Sequence, residues 1–284
     1  MIKIESDGAV NGGSHAVVRW NSSCELTYQK VHGGRYTLIE RAPTLVSRER
    51  IQSANIQERQ FIRMANQDND QQTVHLLHIG KTGGTAVKSV LKRYSDSVDS
   101  PLVLHAHKST LADVPVGEKV VMFLRDPVSR FISGFYSRQR KGQPRYLSEW
   151  KPFEEKVFAA FSTPAELASA LLEPTHEHHD VARMAMKRVM HLRQYRFWYG
   201  DLDYFRSRLD DILFVGFQES LDADFAILKG ILSIPATELL PTDDVSAHRN
   251  PADLDRYIPP EGISCLRQWY AEDYEFIELC RSLR

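Results

Sequence analysis

Residues 74–94, VHLLHIGKTGGTAVKSVLKRY, decide the fold. Val74 to Ile79 are apolar apart from His75 and His78, which predicts a buried strand, and a polar Gly-rich turn follows at residues 80–84. After the turn, apolar side chains recur with helical spacing and predict an amphipathic helix. The N-terminus of such a helix directs free backbone N–H groups and the positive end of its dipole at one point. The stretch therefore predicts an anion-binding turn.

The turn supplies the groups that an anion needs. Lys81 adds a positive charge, and Thr82 and Thr85 add hydroxyl donors. Gly83 and Gly84 let a ligand approach the backbone closely. The alternative interpretation is an ordinary strand–helix turn that happens to carry a lysine.

The turn departs from a Walker A loop in two ways. That motif needs a glycine five positions before the Gly-Lys-Thr triplet, where this chain has His75. Two glycines also follow the lysine, at positions where a Walker loop is already helical. A nucleotide kinase or NTPase is therefore disfavoured, although it stays an alternative, and the turn favours a phosphate-like group of a different ligand.

Composition excludes several classes of partner. The 284 residues carry 36 Lys and Arg against 37 Asp and Glu, so no general attraction to nucleic acid or to a membrane surface is expected. The three cysteines are scattered without metal-binding or disulfide spacing, which is typical of a reducing compartment. No signal pattern and no run of membrane-spanning length is visible, so we expect a cytoplasmic protein.

We expect two parts in the chain, an N-terminal extension of uncertain role at residues 1–72 and a main domain at residues 73–284. In the extension, Cys24–Val31 and Arg35–Glu40 flank a His-Gly-Gly triplet and predict a β-hairpin. Residues 47–65 predict a solvated helix. A run without apolar residues then marks the boundary of the main domain.

The main domain predicts an α/β fold, with a central parallel sheet flanked by helices in three layers like those of P-loop proteins. Its predicted strands lie at residues 74–79, 101–107, 119–124 and 211–217. Ligands of parallel sheets bind at the carboxyl ends of the strands, and Lys81, His107 and Arg125 all follow such ends. We therefore expect these three side chains to lie close together.

The segment RDPVSRFIS, residues 125–133, predicts a second anion site. Asp126 is placed to cap a helix, and Pro127 is placed to occupy its first position. Arg125 at the strand end and Ser133 in the helix can then converge on a second phosphate.

Residues 176–197 predict a long basic helix, whose cationic side chains are a candidate for binding an anionic acceptor. His176, His178 and His179 lie at its start, but their spacing fits no common zinc pattern, and adjacent histidines point apart on a helix. We therefore expect no metal site.

Taken together, these segments resemble the PAPS-dependent sulfotransferases, with the closest likeness to the carbohydrate branch that includes heparan sulfate 2-O-sulfotransferase. The RDPxxRxxS block and the Lys-Thr-Gly-Gly-Thr turn are the most specific features. The matching blocks follow the family's order and are HIGKTGGT (78–85), LHAH (104–107), FLRDPVSRFISGFYS (123–137), ILFVGFQESLDADFAILKGIL (212–232) and SAHRN (246–250).

The resemblance implies PAPS, 3′-phosphoadenosine 5′-phosphosulfate, as the co-substrate, PAP (3′,5′-ADP) as the product and no metal. Arg125 and Ser133 match the pair that binds the 3′-phosphate, and Arg249 in the SAHRN loop is a further candidate for a phosphate contact. The residues that the resemblance gives to the 5′-phosphosulfate are Lys81, Thr82, Gly83, Gly84 and Thr85.

Sulfuryl transfer implies in-line attack by an acceptor hydroxyl, which depends on positioning and charge stabilisation, as phosphoryl transfer does. Lys81 is expected to stabilise the leaving phosphate, and a neutral histidine is expected to take the hydroxyl proton. The His-x-His of the carbohydrate enzymes matches His105 and His107, and we favour His107 because it lies deeper in the loop. The expected acceptor is a saccharide or another small hydroxyl compound. An inactive nucleotide- or glycan-binding module is the remaining alternative.

Overall fold

A computed structural model describes the backbone of four strands between residues 3 and 41, and the chain at residues 72–95, 100–243, 250–251 and 253–284. The chain divides into two compact units, residues 1–70 and residues 71–284. The helix predicted at residues 47–65 and the candidate Arg249 lie outside the described residues.

The N-terminal unit contains a four-stranded antiparallel sheet. Its strands are β1 Lys3–Glu5, β2 His15–Asn21, β3 Cys24–Lys30 and β4 Tyr36–Arg41, in that order across the sheet. Strands β3 and β4 pair from Leu26 opposite Arg41 to Lys30 opposite Tyr36. This pairing confirms the predicted hairpin, which two further strands extend.

The second unit is built on a four-stranded parallel sheet. Its strands are β5 Val74–Leu77, β6 Leu102–Leu104, β7 Lys119–Leu124 and β8 Ile212–Phe217. They lie in the order β6-β5-β7-β8, and each neighbouring pair is parallel. With helices on both faces, this arrangement confirms the predicted α/β fold with P-loop-like layers.

The helices of the second unit cover the sheet and extend beyond it. The prediction of one helix over residues 176–197 is wrong in extent. The backbone becomes extended at Val189 (φ −72°, ψ 114°), and a 3₁₀ turn, Met190–Leu192, follows. The α-helices are α1 Gly84–Leu91, α2 Pro127–Gln139, α3 Pro152–Ala160, α4 Pro164–Leu172, α5 His179–Arg188, α6 Arg196–Tyr199, α7 Leu202–Ser207, α8 Leu221–Ile231, α9 Pro260–Trp269 and α10 Ala271–Arg281.

Strand β7 is buried on both faces because its side chains alternate between two apolar clusters. Val121 and Phe123 pack in a cluster with α1 and α8. Val120, Met122 and Leu124 pack on the other face with aromatic residues around α6 and with α10. A third cluster joins α2 to α3, α4, α5 and α9. The carboxyl end of β7 is therefore held between well-packed layers.

Arg130 in α2 is fully buried and ties three parts of the second unit together. Its guanidinium donates to the carbonyl of His191 at 3.2 Å and to the carbonyl of Arg193. It lies 4.0 Å from the Asp273 carboxylate and 4.5 Å from the centre of the Tyr195 ring. The contacts fix the 3₁₀ turn at residues 190–192 against α2.

Replacing Arg130 with alanine is expected to lower the free energy of unfolding by about 3–5 kcal/mol, because buried Asp273 loses its nearby cation and the carbonyl groups of His191 and Arg193 lose their donor. Chemical denaturation followed by circular dichroism measures this change. Arg206→Ala is the matched control, since Arg206 pairs with Asp203 at the surface, and its expected cost is below about 1 kcal/mol. Similar costs for the two variants would contradict a structural role for Arg130.

Candidate active site

The turn between β5 and α1 is tight and contains two residues with left-handed backbone conformation. Lys81 (φ 70°) and Gly83 (φ 87°) both take left-handed backbone, and Gly83 is the N-cap residue of α1. The Thr82 hydroxyl donates to the carbonyl of Ile79 at 2.9 Å and closes the turn. No described side chain caps the helix, so its first N–H groups are open to a ligand.

The turn lies on a cleft of about 620 Å³ beside the carboxyl ends of β5 and β7. Thr82, which is buried, and His105 are predicted site residues that are not among the described residues lining this cleft. The predicted residues that do line it are Lys81, Gly83, Gly84, Thr85, His107, Arg125 and Ser133. The structure thus brings the three strand-end side chains, Lys81, His107 and Arg125, to one place.

Arg125 is positioned by Tyr195 and reaches toward the turn. The Tyr195 hydroxyl donates to the Arg125 carbonyl at 2.7 Å and accepts from its N–H at 2.9 Å. Guanidinium Nη1 lies 3.5 Å from the Lys81 carbonyl, while the buried Nε has no hydrogen-bond partner among the described residues. A buried guanidinium nitrogen without an acceptor is costly, and an anionic ligand removes that cost.

Helix α2 begins as the sequence predicts. The Asp126 carboxylate accepts from the N–H of Ser129 at 2.8 Å, and Pro127 is the first helical residue. One turn further, the Ser133 carbonyl accepts from the Asn250 amide at 3.3 Å. Ser133, which lines the cleft, therefore lies on a helix whose start and middle are both anchored.

Positive charge is concentrated around the turn. Burial and then the charges of Arg125 and Arg140 lower the pKa of Lys81 to about 7. Burial likewise lowers the pKa of Arg125; the charge of Glu219 opposes this shift, and that of Arg256 adds to it, and both residues line the cleft. Crowded cations in a half-buried cleft favour a ligand with several negative charges. Sequence reasoning did not single out Arg140 or Arg256, although Arg140 lies in the basic run that begins at Arg125.

The two candidate bases occupy different environments. His105 Nε2 lies 2.8 Å from His75 Nδ1, and the other side of His75 contacts the Glu118 carboxylate. The ring of His107 lines the cleft, and its buried Nδ1 has no partner in the described part of the chain. Burial and nearby lysine charges, that of Lys81 first, lower the pKa of His107 to about 4. His107 is therefore neutral near pH 7 and has a nitrogen free to accept a proton.

A second histidine in the cleft, His191, was missed by sequence reasoning. It is 6% exposed, and its ring meets that of His107 edge-on with 5.4 Å between centroids. Burial, followed by the charges of Lys81 and other nearby groups, holds the pKa of His191 well below its usual value. No motif marks this residue, because it lies on the 3₁₀ turn inside the segment predicted as one long helix.

The described residues contain no group of His, Cys, Asp or Glu that is arranged to hold a metal ion. Near α5, His176 and His178 have ring centroids 5.9 Å apart, while His179 Nδ1 lies 2.9 Å from the Ala170 carbonyl.

Among the residues that the structure describes, no helix has both the length and the apolar character that a membrane span requires.

A family model described as the sulfotransferase family matches residues 67–278, which is most of the chain and includes the whole described cleft. No curated protein matches the chain at a significant level. The chain belongs to the sulfotransferase family, whose members transfer a sulfuryl group to an acceptor.

Proposed function

We propose that the protein transfers the sulfuryl group of PAPS to a hydroxyl of a saccharide or of another small hydroxyl compound. The observation that carries this proposal is that the anion-binding turn, Arg125, Ser133 and His107 meet in one cleft. A ligand with a 5′-phosphosulfate and a separate 3′-phosphate suits two anion sites in one cleft. The sulfuryl group suits the family to which the chain belongs.

The residues present fit such a co-substrate. The unpaired Nε of Arg125 needs an acceptor, and the crowded charges of Lys81 and Arg125 need a polyanion. The turn at residues 80–85 would hold the phosphosulfate, and Arg125 with Ser133 would hold the 3′-phosphate. When bound, PAPS supplies an activated sulfuryl group.

His107 and Lys81 have complementary roles in the proposed reaction. His107 Nδ1 accepts the proton of the acceptor hydroxyl as that oxygen bonds to sulfur. The Lys81 ammonium stabilises the negative charge that develops on the leaving 5′-phosphate oxygen. Both groups line the cleft and are partly buried, and a fixed charge acts more strongly there than it does in bulk solvent.

Arg125→Ala is expected to weaken binding of 3′,5′-ADP about 10–100-fold, because it removes a charged donor from a buried phosphate site. Isothermal titration calorimetry with 3′,5′-ADP, PAPS and Mg-ATP measures this loss and compares the ligands. Arg206→Ala, outside the cleft, is the control and should bind 3′,5′-ADP as the unaltered protein does.

Tight binding of Mg-ATP without binding of 3′,5′-ADP would contradict the proposal and favour a kinase or NTPase. Transfer of labelled sulfate from PAPS to a panel of saccharides and small alcohols then separates an enzyme from an inactive binding module. Ligand binding with no transfer to any acceptor would favour the module.

A further inference from the structure

The His191 side chain is buried in the cleft. The proposed reaction, with His107 as base and Lys81 as the stabilising cation, gives it no role. It lies in the cleft with Lys81 and His107 and is held from behind, where its carbonyl accepts from Arg130 Nη1 at 3.2 Å. With 6% of its surface exposed, it is well shielded from solvent. Its ring Nδ1 is buried and has no hydrogen-bond partner among the described residues. An imidazole that lines a binding cleft and has an unpaired ring nitrogen needs an explanation.

Gly80 allows two imidazoles to approach the anion-binding turn. A Cβ at Gly80 would lie 2.6 Å from His191 Cδ2 and 3.1 Å from His191 Nε2. The same Cβ would lie 3.5 Å from His107 Nδ1. The Cδ2–Nε2 edge of His191 therefore packs closely against Gly80, and the proposed basic nitrogen of His107 lies on the same side of this residue, which precedes Lys81. Any side chain at position 80 would displace the His191 ring.

His191 is suited to donate a hydrogen bond without carrying a charge. Burial and the positive charge of Lys81 hold the pKa of His191 well below its usual value, so the ring is neutral with a single N–H. An N–H on Nδ1 would be buried without an acceptor among the described residues, which favours the tautomer that carries the N–H on Nε2. Nε2 is also the nitrogen on the edge that faces Gly80.

We infer that His191 donates its Nε2–H to a sulfuryl oxygen of the bound co-substrate and keeps that bond during transfer. This inference rests on the proposed function. In the reaction, the acceptor oxygen bonds to sulfur, the bond from sulfur to the 5′-phosphate oxygen breaks with its electron pair on the phosphate, and the acceptor proton moves to His107. His191 neither gains nor loses a proton and acts as a preorganised dipole beside the transferred group.

Binding of two ligands to the full chain without acceptor tests this contact, because 3′,5′-ADP lacks the sulfuryl group that PAPS carries. His191→Leu is expected to weaken binding of PAPS about tenfold and to leave binding of 3′,5′-ADP unchanged. His191→Gln, which keeps an N–H near the position of Nε2, should retain most of the affinity for PAPS. His176→Gln, outside the cleft, is the matched histidine control.

Two results would overturn the inference. Equal losses of affinity for both ligands would show that His191 shapes the turn and does not contact the sulfuryl group. Unchanged PAPS binding with a shifted pH profile of kcat would make His191 a positioning residue for His107. Should His191→Leu fail to fold, His191→Asn replaces it. The amide N–H of asparagine lies near the position of Nδ1, so this variant should lose the affinity for PAPS that His191→Gln retains. If the unaltered protein did not bind 3′,5′-ADP, the proposed function would fail before His191 is tested.

Discussion

Replacing His107 with alanine is expected to reduce kcat ~10²–10⁴-fold and to leave the affinity for 3′,5′-ADP nearly unchanged. The reason is that the proposed base acts on the acceptor proton during the reaction and makes little contribution to binding the nucleotide. Its pKa of about 4 keeps the ring neutral at pH 7, and its buried Nδ1 has no hydrogen-bond partner among the described residues. Transfer of labelled sulfate and calorimetry with 3′,5′-ADP measure the two quantities.

His105→Ala is the matched control for this prediction. Its ring is engaged with His75 at 2.8 Å, and it is not one of the described residues that line the cleft, so most of the activity should remain. Loss of turnover in His105→Ala with activity kept in His107→Ala would reverse the assignment. Full activity in both variants would mean that a different group takes the proton.

Replacing Lys81 with methionine is expected to lower kcat/KM for PAPS about 10²–10³-fold, because the leaving phosphate loses its nearest positive charge. The need for a charged Lys81 in the free protein should also make kcat/KM depend on pH. The pKa of Lys81 is about 7, so its charged form dominates below that pH and is lost above it. The value of kcat/KM should therefore fall about tenfold per pH unit above pH 7. His107, with a pKa of about 4, is already neutral throughout that range.

Lys81→Arg separates charge from geometry. A guanidinium stays protonated at these pH values, so this variant should lose the alkaline decline even if its overall rate is lower. Binding of 3′,5′-ADP at pH 8 should take up a proton in the unaltered protein and not in Lys81→Met, which calorimetry in buffers of different ionisation enthalpy measures. An unchanged alkaline decline in Lys81→Met would place the titrating group elsewhere.

The sequence allowed the strand–turn–helix at residues 74–94 to be predicted because its signals are local. Apolar runs, glycines and a cap residue act over a few positions, and they also placed α2 correctly at Asp126 and Pro127. The convergence of Lys81, His107 and Arg125 followed from one further rule, that parallel strands bring their carboxyl ends to the same edge.

The parts that sequence reasoning missed depend on tertiary contacts. Residues 176–197 have helical spacing, yet the helix ends at Arg188, and the buried guanidinium of Arg130 accounts for the turn that follows by binding the carbonyl groups of His191 and Arg193. Arg256 enters the cleft from a segment that carries no motif. Such positions become visible only when distant segments are packed together.

The left-handed backbone at Lys81 has a consequence for how this protein can change. At φ 70°, a residue with a Cβ is less stable than glycine by roughly 1–2 kcal/mol. The junction between β5 and α1 thus contains a residue whose backbone conformation lowers the stability of the fold. Such residues are found where function outweighs stability. Laboratory evolution that rewards heat resistance alone would therefore accept glycine at this position, and would produce robust molecules without the cation on which the proposed chemistry depends.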